Sequence, residues 1–231
     1  MTTLTIIQTA ATTLGLPRPS AAVSASDSTT VQMVALLNEE ANILSRRHDW
    51  QSLVREATFT TVATESQGAI STLAPGLRHI IGDTIWNRTT DQDVAWPVTP
   101  KRWQADLTLG VTSAPWSSFR IRGGSLLMYP APTAGQTAAF EYVSGLPVID
   151  QDAGTDKATY TKDGDTSSLD EMALALGVVW RWKQQKGFDI SADYQQYEAL
   201  VRDLKAKDSP AGLLSFGAPV ARRDNIPLGN W

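Results

Sequence analysis

The stretch Leu169-Asp170-Glu171-Met172-Ala173-Leu174-Ala175-Leu176-Gly177-Val178-Val179-Trp180 decides how this chain must fold. Its apolar side chains recur at helical spacing along one side, at Leu169, Met172, Ala173, Leu176 and Trp180. The other sides are apolar as well, at Leu174, Val178 and Val179. Ser168 and Glu171 have the spacing of a capping box, and Gly187 is a stop signal. A helix that is apolar on several sides must be covered by more than one neighbour.

Three further amphipathic helices are predicted near the ends of the chain, over residues 3–15, 27–48 and 191–207. The first carries Thr5 and Gln8 at capping-box spacing, and the last ends before Pro210. The last helix forms a hairpin with the apolar helix but cannot cover it alone, so we expect the N-terminal helices to return to it. One helical bundle domain is therefore predicted from residues 1–49 and 168–209.

The middle of the chain, residues 50–148, changes to the alternating period of β-strands. Strands are predicted over residues 53–62, 83–88, 119–122, 125–129 and 137–143. Gly123-Gly124 satisfies the positive φ that a type I′ hairpin turn needs. One local helix is predicted with Thr99 as its cap and Pro100 at its first position. The expected fold class is α+β, with this antiparallel β-rich domain inserted into the helical bundle.

Residues 149–167 join the two predicted domains and contain five aspartates and two lysines, which give the segment a charge of −3. Asp150, Asp152 and Asp156 are spaced somewhat like the ligands of a calcium loop. Thr161, however, stands where that loop needs a bidentate glutamate. We therefore interpret residues 149–167 as a solvated acidic loop without a metal site.

The amino-acid composition and charge of the chain exclude several classes of protein function. The 231 residues include no cysteine, which excludes disulfides, thiol nucleophiles and cysteine-containing zinc sites. A net charge of −4 argues against a protein whose main task is to neutralise phosphates. The first basic residue is Arg18, and no apolar run approaches the ~18 to 20 residues of a membrane helix. We expect synthesis in the cytoplasm and no membrane insertion.

The residues predict no catalytic, cofactor-binding or metal-binding constellation. His48 and His79 lack the partners of a triad or a metal site and are interpreted as structural or exposed. The side chains of neighbouring carboxylates such as Asp170 and Glu171 point in different directions from a helix, so they cannot flank one bond as a catalytic pair must. Two alternatives stay open. One is a peptidoglycan hydrolase with carboxylates from different segments, and the other is a glycan-binding module that uses Trp86, Trp96, Trp103 and Trp116.

Residues 210–231 are predicted to form an extended C-terminal arm. Its prolines favour an extended chain, and its large apolar residues have no helical or strand period that would fit them to the core of the subunit itself. Burial of each such side chain is worth about 1.5 to 3 kcal/mol. We therefore expect the arm to become ordered on assembly by docking on a partner or a neighbouring subunit. The predicted docking residues are Leu213, Leu214, Phe216, Arg222, Arg223, Ile226 and Trp231.

Several motifs, taken in order, resemble the head-to-tail adaptor (connector) proteins of tailed bacteriophages, a group that includes relatives of tail tubular protein A. The likeness opens with Leu36-Leu37-Asn38-Glu39, His48-Asp49-Trp50-Gln51 and Ala57-Thr58-Phe59-Thr60-Thr61. It continues to about residue 205 through Thr84-Ile85-Trp86-Asn87, Trp103, Phe119-Arg120-Ile121-Arg122-Gly123-Gly124, Tyr129-Pro130-Ala131-Pro132 and Phe140-Glu141-Tyr142-Val143-Ser144. One departure is Leu73-Ala74-Pro75-Gly76-Leu77, where a Leu-Pro-x-Asp-like turn is expected, and this alters only a loop.

The resemblance implies a structural virion protein, and not an enzyme, at the head-to-tail junction. Its implied partners are the portal protein, tail or nozzle proteins, and further copies of the chain in a ring of twelve. The ring would surround a channel through which genomic DNA passes without specific binding. No cofactor or metal is expected.

Overall fold

The computed structural model describes residues 1–82, 84–95, 99–110 and 117–208. Within these ranges the fold is mixed α/β, with six α-helices and two β-sheets. The helices are α1 (Thr3–Thr13), α2 (Ser28–Arg46), α3 (Ile70–Leu73), α4 (Pro100–Leu109), α5 (Glu171–Gln185) and α6 (Ser191–Asp208). The strands are β1 (Val54–Thr60), β2 (Ser66–Ala69), β3 (Leu77–Ile80), β4 (Trp86–Asn87), β5 (Gln92–Ala95), β6 (Ser117–Arg122), β7 (Ser125–Tyr129), β8 (Thr137–Ser144), β9 (Val148–Ile149), β10 (Asp156–Lys157) and β11 (Thr166–Ser167).

Polar side chains determine where the first two helices begin. Thr2 is extended and caps α1 in a reciprocal box with Thr5, whose hydroxyl accepts from the Thr2 N–H at 2.7 Å. The predicted box of Thr5 and Gln8 is therefore wrong by three residues, because Thr2 already provides the extended cap. Asp27 caps α2 by accepting from the Thr30 N–H, which agrees with the predicted start of that helix.

The start of α5 also differs from the prediction. The Asp170 carboxylate accepts from the Ala173 N–H at 2.8 Å and so caps the helix. Ser168 lies two residues before this cap, and its N–H donates to the Pro147 carbonyl, so that N–H is not available to the Glu171 side chain as a capping box requires. The predicted capping box of Ser168 and Glu171 is therefore wrong, although the helix itself is present.

The apolar helix α5 is covered on several sides, as its sequence requires. It contacts α1, α2 and α6. One core cluster combines buried side chains of all four helices, including Ile6, Leu37, Leu174, Val178 and Val201. The N-terminal helices therefore cover the part of α5 that its hairpin partner leaves open.

Gly177 lets α2 and α5 approach closely. A Cβ atom at this position would lie within 3.0 Å of three atoms of the Glu40 side chain. Glu40 is fully buried on α2 and is hydrogen-bonded to Arg181, so its side chain cannot move to another rotamer to make room for a methyl group. The close packing of these two helices thus depends on a residue without a side chain.

The larger sheet is organised around β8. On one side β8 pairs antiparallel with the whole of β1, from Val54 opposite Val143 to Thr60 opposite Thr137. On its other side it pairs with β4 near one end and with β3 near the other. The predicted β6–β7 hairpin is present, and Gly123 and Gly124 both have positive φ.

The pairing of the described strands is antiparallel, as predicted, with one exception. Val94 of β5 pairs with Ser117 of β6, and these strands run parallel. The chain reaches β6 from β5 by way of α4, since parallel neighbours need a crossover connection rather than a tight turn. The predicted helix cap at Thr99 and Pro100 is present at the start of α4.

The sheet has its own core cluster and also touches the helical one. Its buried side chains include Phe59, Phe119, Leu126, Met128 and Phe140. Val143 of β8 and Val148 of β9, by contrast, belong to the helical core cluster. The end of β8 is therefore the place where the packing of the sheet continues into the packing of the helices.

Gly177→Ala is expected to destabilise the protein by about 1 to 3 kcal/mol in urea denaturation, because the added methyl group collides with the buried Glu40. At an unhindered helical position the same change stabilises by up to ~1 kcal/mol. Gly145→Ala is the control, since its added Cβ has only an ordinary contact at 3.5 Å. If both variants are at least as stable as the parent, the close approach is not a constraint.

Candidate interaction surfaces

The predicted docking residues all lie outside the described residues: Leu213, Leu214, Phe216, Arg222, Arg223, Ile226 and Trp231. The described part of the chain ends at Asp208. One oxygen of the Asp208 carboxylate accepts from the Gln51 N–H at 3.0 Å and lies 3.1 Å from Nε2 of His48. The arm therefore starts at a fixed point, where the end of α6 meets the segment between α2 and β1.

The same junction holds β3 against the helices. Arg78 of β3 pairs with the Asp49 carboxylate and donates to the Ser45 carbonyl at the end of α2. Nε2 of His79 lies 3.2 Å from the other Asp49 oxygen. Both histidines of the chain therefore have carboxylate neighbours at this junction.

A buried polar network links three helices. Glu40 of α2 accepts from Nε of Arg181 on α5 at 2.7 Å and also from the hydroxyl of Tyr197 on α6. Burial and the nearby Glu40 charge raise the pKa of Tyr197 well above its usual range, so this hydroxyl remains a donor. The Arg181 guanidinium also lies 4.3 Å from the Trp180 ring centroid.

Arg47 extends this network to the surface. Its two terminal nitrogens bind the two carboxylate oxygens of Glu198 on α6 at 2.9 and 2.8 Å. The guanidinium holds the pKa of Glu198 below its usual range. The orientation of α6, which carries the start of the arm, is therefore fixed by polar contacts with α2.

The acidic segment 149–167 is folded, which corrects its interpretation as a solvated loop. With Val148 it provides β9, which pairs with β10 on one side and β11 on the other. Asp165 is fully buried, accepts from three backbone N–H groups and lies 2.7 Å from Nζ of Lys157. The charge of Asp165 is therefore matched inside the segment by Lys157 and by backbone N–H groups.

This segment also holds the N-terminal part of the chain. The carbonyls of Asp165 and Asp163 accept from the N–H groups of Thr3 and Leu4, in the first turn of α1. The Asp163 carboxylate accepts from the N–H groups of Ala22 and Val23, between α1 and α2. These roles were not predicted from the sequence, although Asp163-Gly164-Asp165 is typical of a turn whose aspartates bind backbone N–H groups.

One pair of carboxylates, Glu56 and Glu141, lies close together on the larger sheet but lacks the chemistry of a hydrolase pair. Within the described ranges, no group of three or more His, Asp or Glu side chains is placed to hold a metal ion. Glu56 and Glu141 are opposite each other on β1 and β8 and line one shallow groove. Arg88 binds Glu56 at 2.8 Å and lowers its pKa, whereas a general acid needs a raised pKa.

The tryptophans proposed for glycan binding do not form an exposed row in the described part of the chain. Trp103 is buried, and Trp86 is 42% exposed on the sheet. Trp96 and Trp116 lie outside the described residues. A single exposed indole gives this alternative little support.

A family model described as SU10 adaptor protein matches residues 1–223 of this chain. The chain belongs to the SU10 adaptor protein family. This confirms the resemblance to phage head-to-tail adaptors drawn from the sequence motifs. No curated protein matches the adaptor sequence. Membership makes the adaptor a structural phage protein and implies a virion location, with portal and tail proteins as neighbours.

The adaptor exposes a compact aromatic patch at the turn between α5 and α6. Phe188 is 60% exposed, and its ring stacks on Trp182 with centroids 6.2 Å apart. Nζ of Lys186 lies 5.5 Å from the Trp182 ring. We name Trp182, Lys186 and Phe188 the hairpin-tip patch. Trp182 is partly buried against the helical core, so Phe188 is the exposed ring of the patch, and an exposed aromatic ring beside a cation is typical of protein contact surfaces. No helix in the described ranges of the adaptor is long and apolar enough to cross a membrane.

Asp165→Asn is expected to destabilise the adaptor by about 3 kcal/mol at pH 7, because Lys157 loses its buried partner charge. Burial acts to raise the pKa of Asp165, but Lys157 and the backbone N–H groups outweigh it and lower the pKa below 3.8. A carboxylate with a lowered pKa stabilises the fold above its unfolded pKa and loses that effect as pH falls through its folded pKa. The difference from the parent should therefore shrink between pH 7 and about pH 3.

Urea denaturation across this pH range measures the difference in the free energy of unfolding. Asp203→Asn, which changes an exposed carboxylate on α6, is the control and should alter stability by no more than about 0.5 kcal/mol. An effect of Asp165→Asn that is the same at pH 7 and pH 3 would show that its charge does not stabilise the segment.

Proposed function

We propose that the protein is a head-to-tail adaptor that forms a ring between the portal and the tail and lines the DNA channel. The observation that carries this proposal is the family match over residues 1–223, which includes all described residues and the first part of the arm. The chemistry of the chain agrees with it. Both histidines lie beside carboxylates, Glu56 pairs with Arg88, and the Phe188 ring is exposed at the hairpin-tip patch.

Each subunit in this proposal has a helical bundle domain, residues 1–49 and 168–209, into which the β-rich domain of residues 50–148 is inserted. The shared core of α1, α2, α5 and α6 and the separate sheet core support this division. The hairpin-tip patch provides an apolar contact between neighbouring copies in the ring, for which the resemblance implies twelve subunits.

The arm attaches the subunit to the portal or to an adjacent adaptor subunit. Arg222 and Arg223 pair with partner carboxylates, and Ile226 and Trp231 enter apolar pockets. The root of the arm at Asp208 supports this role, because its contacts with His48 and Gln51 give the arm a defined starting point. A fixed root reduces the conformational entropy that docking must overcome.

Genomic DNA passes through the ring without specific binding. The chain has a net charge of −4, and a weakly acidic lumen does not retain the phosphate backbone during passage. The basic residues near the end of α6, Arg202, Lys205 and Lys207, are interspersed with Asp203 and Asp208. That arrangement is unlike the basic face of a DNA recognition helix.

Electron microscopy of the purified full chain, alone and mixed with portal, should show rings with twelvefold symmetry on the portal. Deletion of residues 211–231 should leave the subunit folded by circular dichroism, because the described core ends at Asp208. The deletion should abolish or greatly weaken attachment to portal-bearing capsids. Undiminished attachment of the truncated chain would show that the folded part carries the contact, and absence of any complex with portal would contradict the adaptor role.

Titration of a short DNA duplex is expected to give a Kd above about 1 µM at ~150 mM salt, because the net charge of the chain is −4. Fluorescence anisotropy with two duplexes of unrelated sequence measures both affinity and selectivity. Submicromolar binding with a preference for one duplex would exclude passage without specific binding.

A further inference from the structure

One face of the larger sheet has a groove with an indole in its wall. The strands β1, β8 and β4 lie side by side, with Glu56 opposite Glu141 and Trp86 opposite Ala139. Residues that are directly opposite, or two apart on one strand, share a face of a sheet. Trp86 and both glutamates therefore lie on the same face, where they line a groove with a volume of about 260 Å³.

The side chains of this groove are open to solvent. Trp86 is 42% exposed, and the side chains of Glu56 and Arg88 are 49% and 50% exposed. Glu141 is exposed as well. Tryptophan has a large apolar ring with one polar N–H group, and it is enriched where proteins contact one another. The Trp86 ring is therefore available to a group from outside the subunit.

The two glutamates of the groove differ in what they bind. Both carboxylate oxygens of Glu56 have partners, since one accepts from Arg88 at 2.8 Å and the other from the Thr58 hydroxyl at 3.2 Å. In the described part of the chain, the Glu141 carboxylate has neither a hydrogen bond nor an ion pair, and only its backbone groups are bonded. Like charges that are directly opposite on neighbouring strands destabilise a sheet. Glu141 is thus an uncompensated charge that lowers the stability of the sheet.

The charge around the groove determines which class of ligand it attracts. Asp93 of β5 is exposed and pairs with Trp86, so it lies on the same face. The described part of this face therefore has three carboxylates, Glu56, Glu141 and Asp93, against the single guanidinium of Arg88, a balance of −2. A negative face repels phosphate groups and attracts cations. Nucleic acid and anionic lipid are therefore poor ligands for this groove, and a cationic group is a good one.

The indole beside the uncompensated carboxylate favours arginine among the cationic side chains. Glu141 is two residues from Ala139, the partner of Trp86, so Glu141 and Trp86 are diagonal neighbours. Diagonal neighbours in a sheet are within reach of aromatic and long side chains. A guanidinium is planar and can stack on an indole while its N–H groups bind a carboxylate, whereas a lysine ammonium is a strongly hydrated point charge.

We infer that the groove between Trp86 and Glu141 binds an arginine side chain of a partner protein. The inference goes beyond the proposed function, which assigns docking to the arm, because it places a second contact on the folded part of the chain. It also explains a carboxylate that lowers the stability of the free subunit. The arginine of the partner supplies the positive charge that Glu141 does not find among the described residues.

Fluorine NMR of the full chain labelled with 5-fluorotryptophan tests this location. The chain has eight tryptophans, and Trp86→Phe identifies the resonance of the groove. A capped Gly-Arg-Arg-Gly peptide should shift that resonance with an affinity at least about threefold higher than the same peptide with citrulline, which keeps the shape of arginine without its charge. Equal affinity of the two peptides, or tighter binding of the polyamine spermidine, would overturn the inference.

Glu141→Gln separates binding from folding. The variant should bind the arginine peptide at least about threefold more weakly, because it lacks the carboxylate that pairs with the guanidinium. It should also raise the midpoint of urea denaturation by about 0.1 to 0.5 M, because the repulsion from Glu56 is removed. Asp203→Asn, an exposed carboxylate on α6, is the matched control and should change neither quantity. A lower urea midpoint for Glu141→Gln would show that this carboxylate stabilises the fold and would contradict the inference.

The same NMR signal distinguishes a partner protein from the arm of this chain, which contains Arg222 and Arg223. If deletion of residues 211–231 moves the Trp86 resonance in the absence of peptide, the arginine in the groove belongs to the arm, and a partner protein as the occupant is wrong. The peptide titration does not involve the portal. Its failure therefore contradicts only this inference, whereas failure of portal attachment contradicts only the proposed function.

Discussion

A buried carboxylate needs hydrogen-bond partners that match its charge, and the helical part of this adaptor is built around one such group, Glu40. Its two partners come from other helices, Arg181 on α5 and Tyr197 on α6. This arrangement requires glycine at position 177, because any larger residue would occupy the space of the Glu40 side chain. The apolar surfaces of these helices could pack in several registers, whereas the network is satisfied in only one.

The acidic segment applies the same principle at the other side of the helices. Asp165 is buried with Lys157 and three backbone N–H groups, so a cluster of like charges becomes a folded element. Its carbonyls and the Asp163 carboxylate then bind the start of α1 and the connection to α2. Parts of the chain that are some 140 to 160 residues apart are thereby held together by backbone groups.

These contacts bear on function because they determine where the arm begins. Arg47 orients α6 through Glu198, and Asp208 joins the end of α6 to the segment before β1. Asp49 connects that junction to β3 by pairing with Arg78. In the proposed ring, an arm that starts from an ordered junction loses less conformational entropy when it docks.

The sequence by itself determined the helices, the main strands, the Gly123-Gly124 turn and the family, because these depend on local period, local φ and the order of motifs. It also indicated that the apolar helix α5 needs several neighbours. Only the tertiary structure decided that residues 149–167 are folded, that β5 and β6 are parallel, and that Glu40 is buried. Each of these features depends on partners that are distant in the chain. The sequence around a charged residue is the same whether its partner is water or an arginine from another helix, so it does not show which partner the residue has. The caps of α1 and α5 were misplaced for a related reason, since Thr2 and Ser168 are positioned by neighbouring strands rather than by helix propensity.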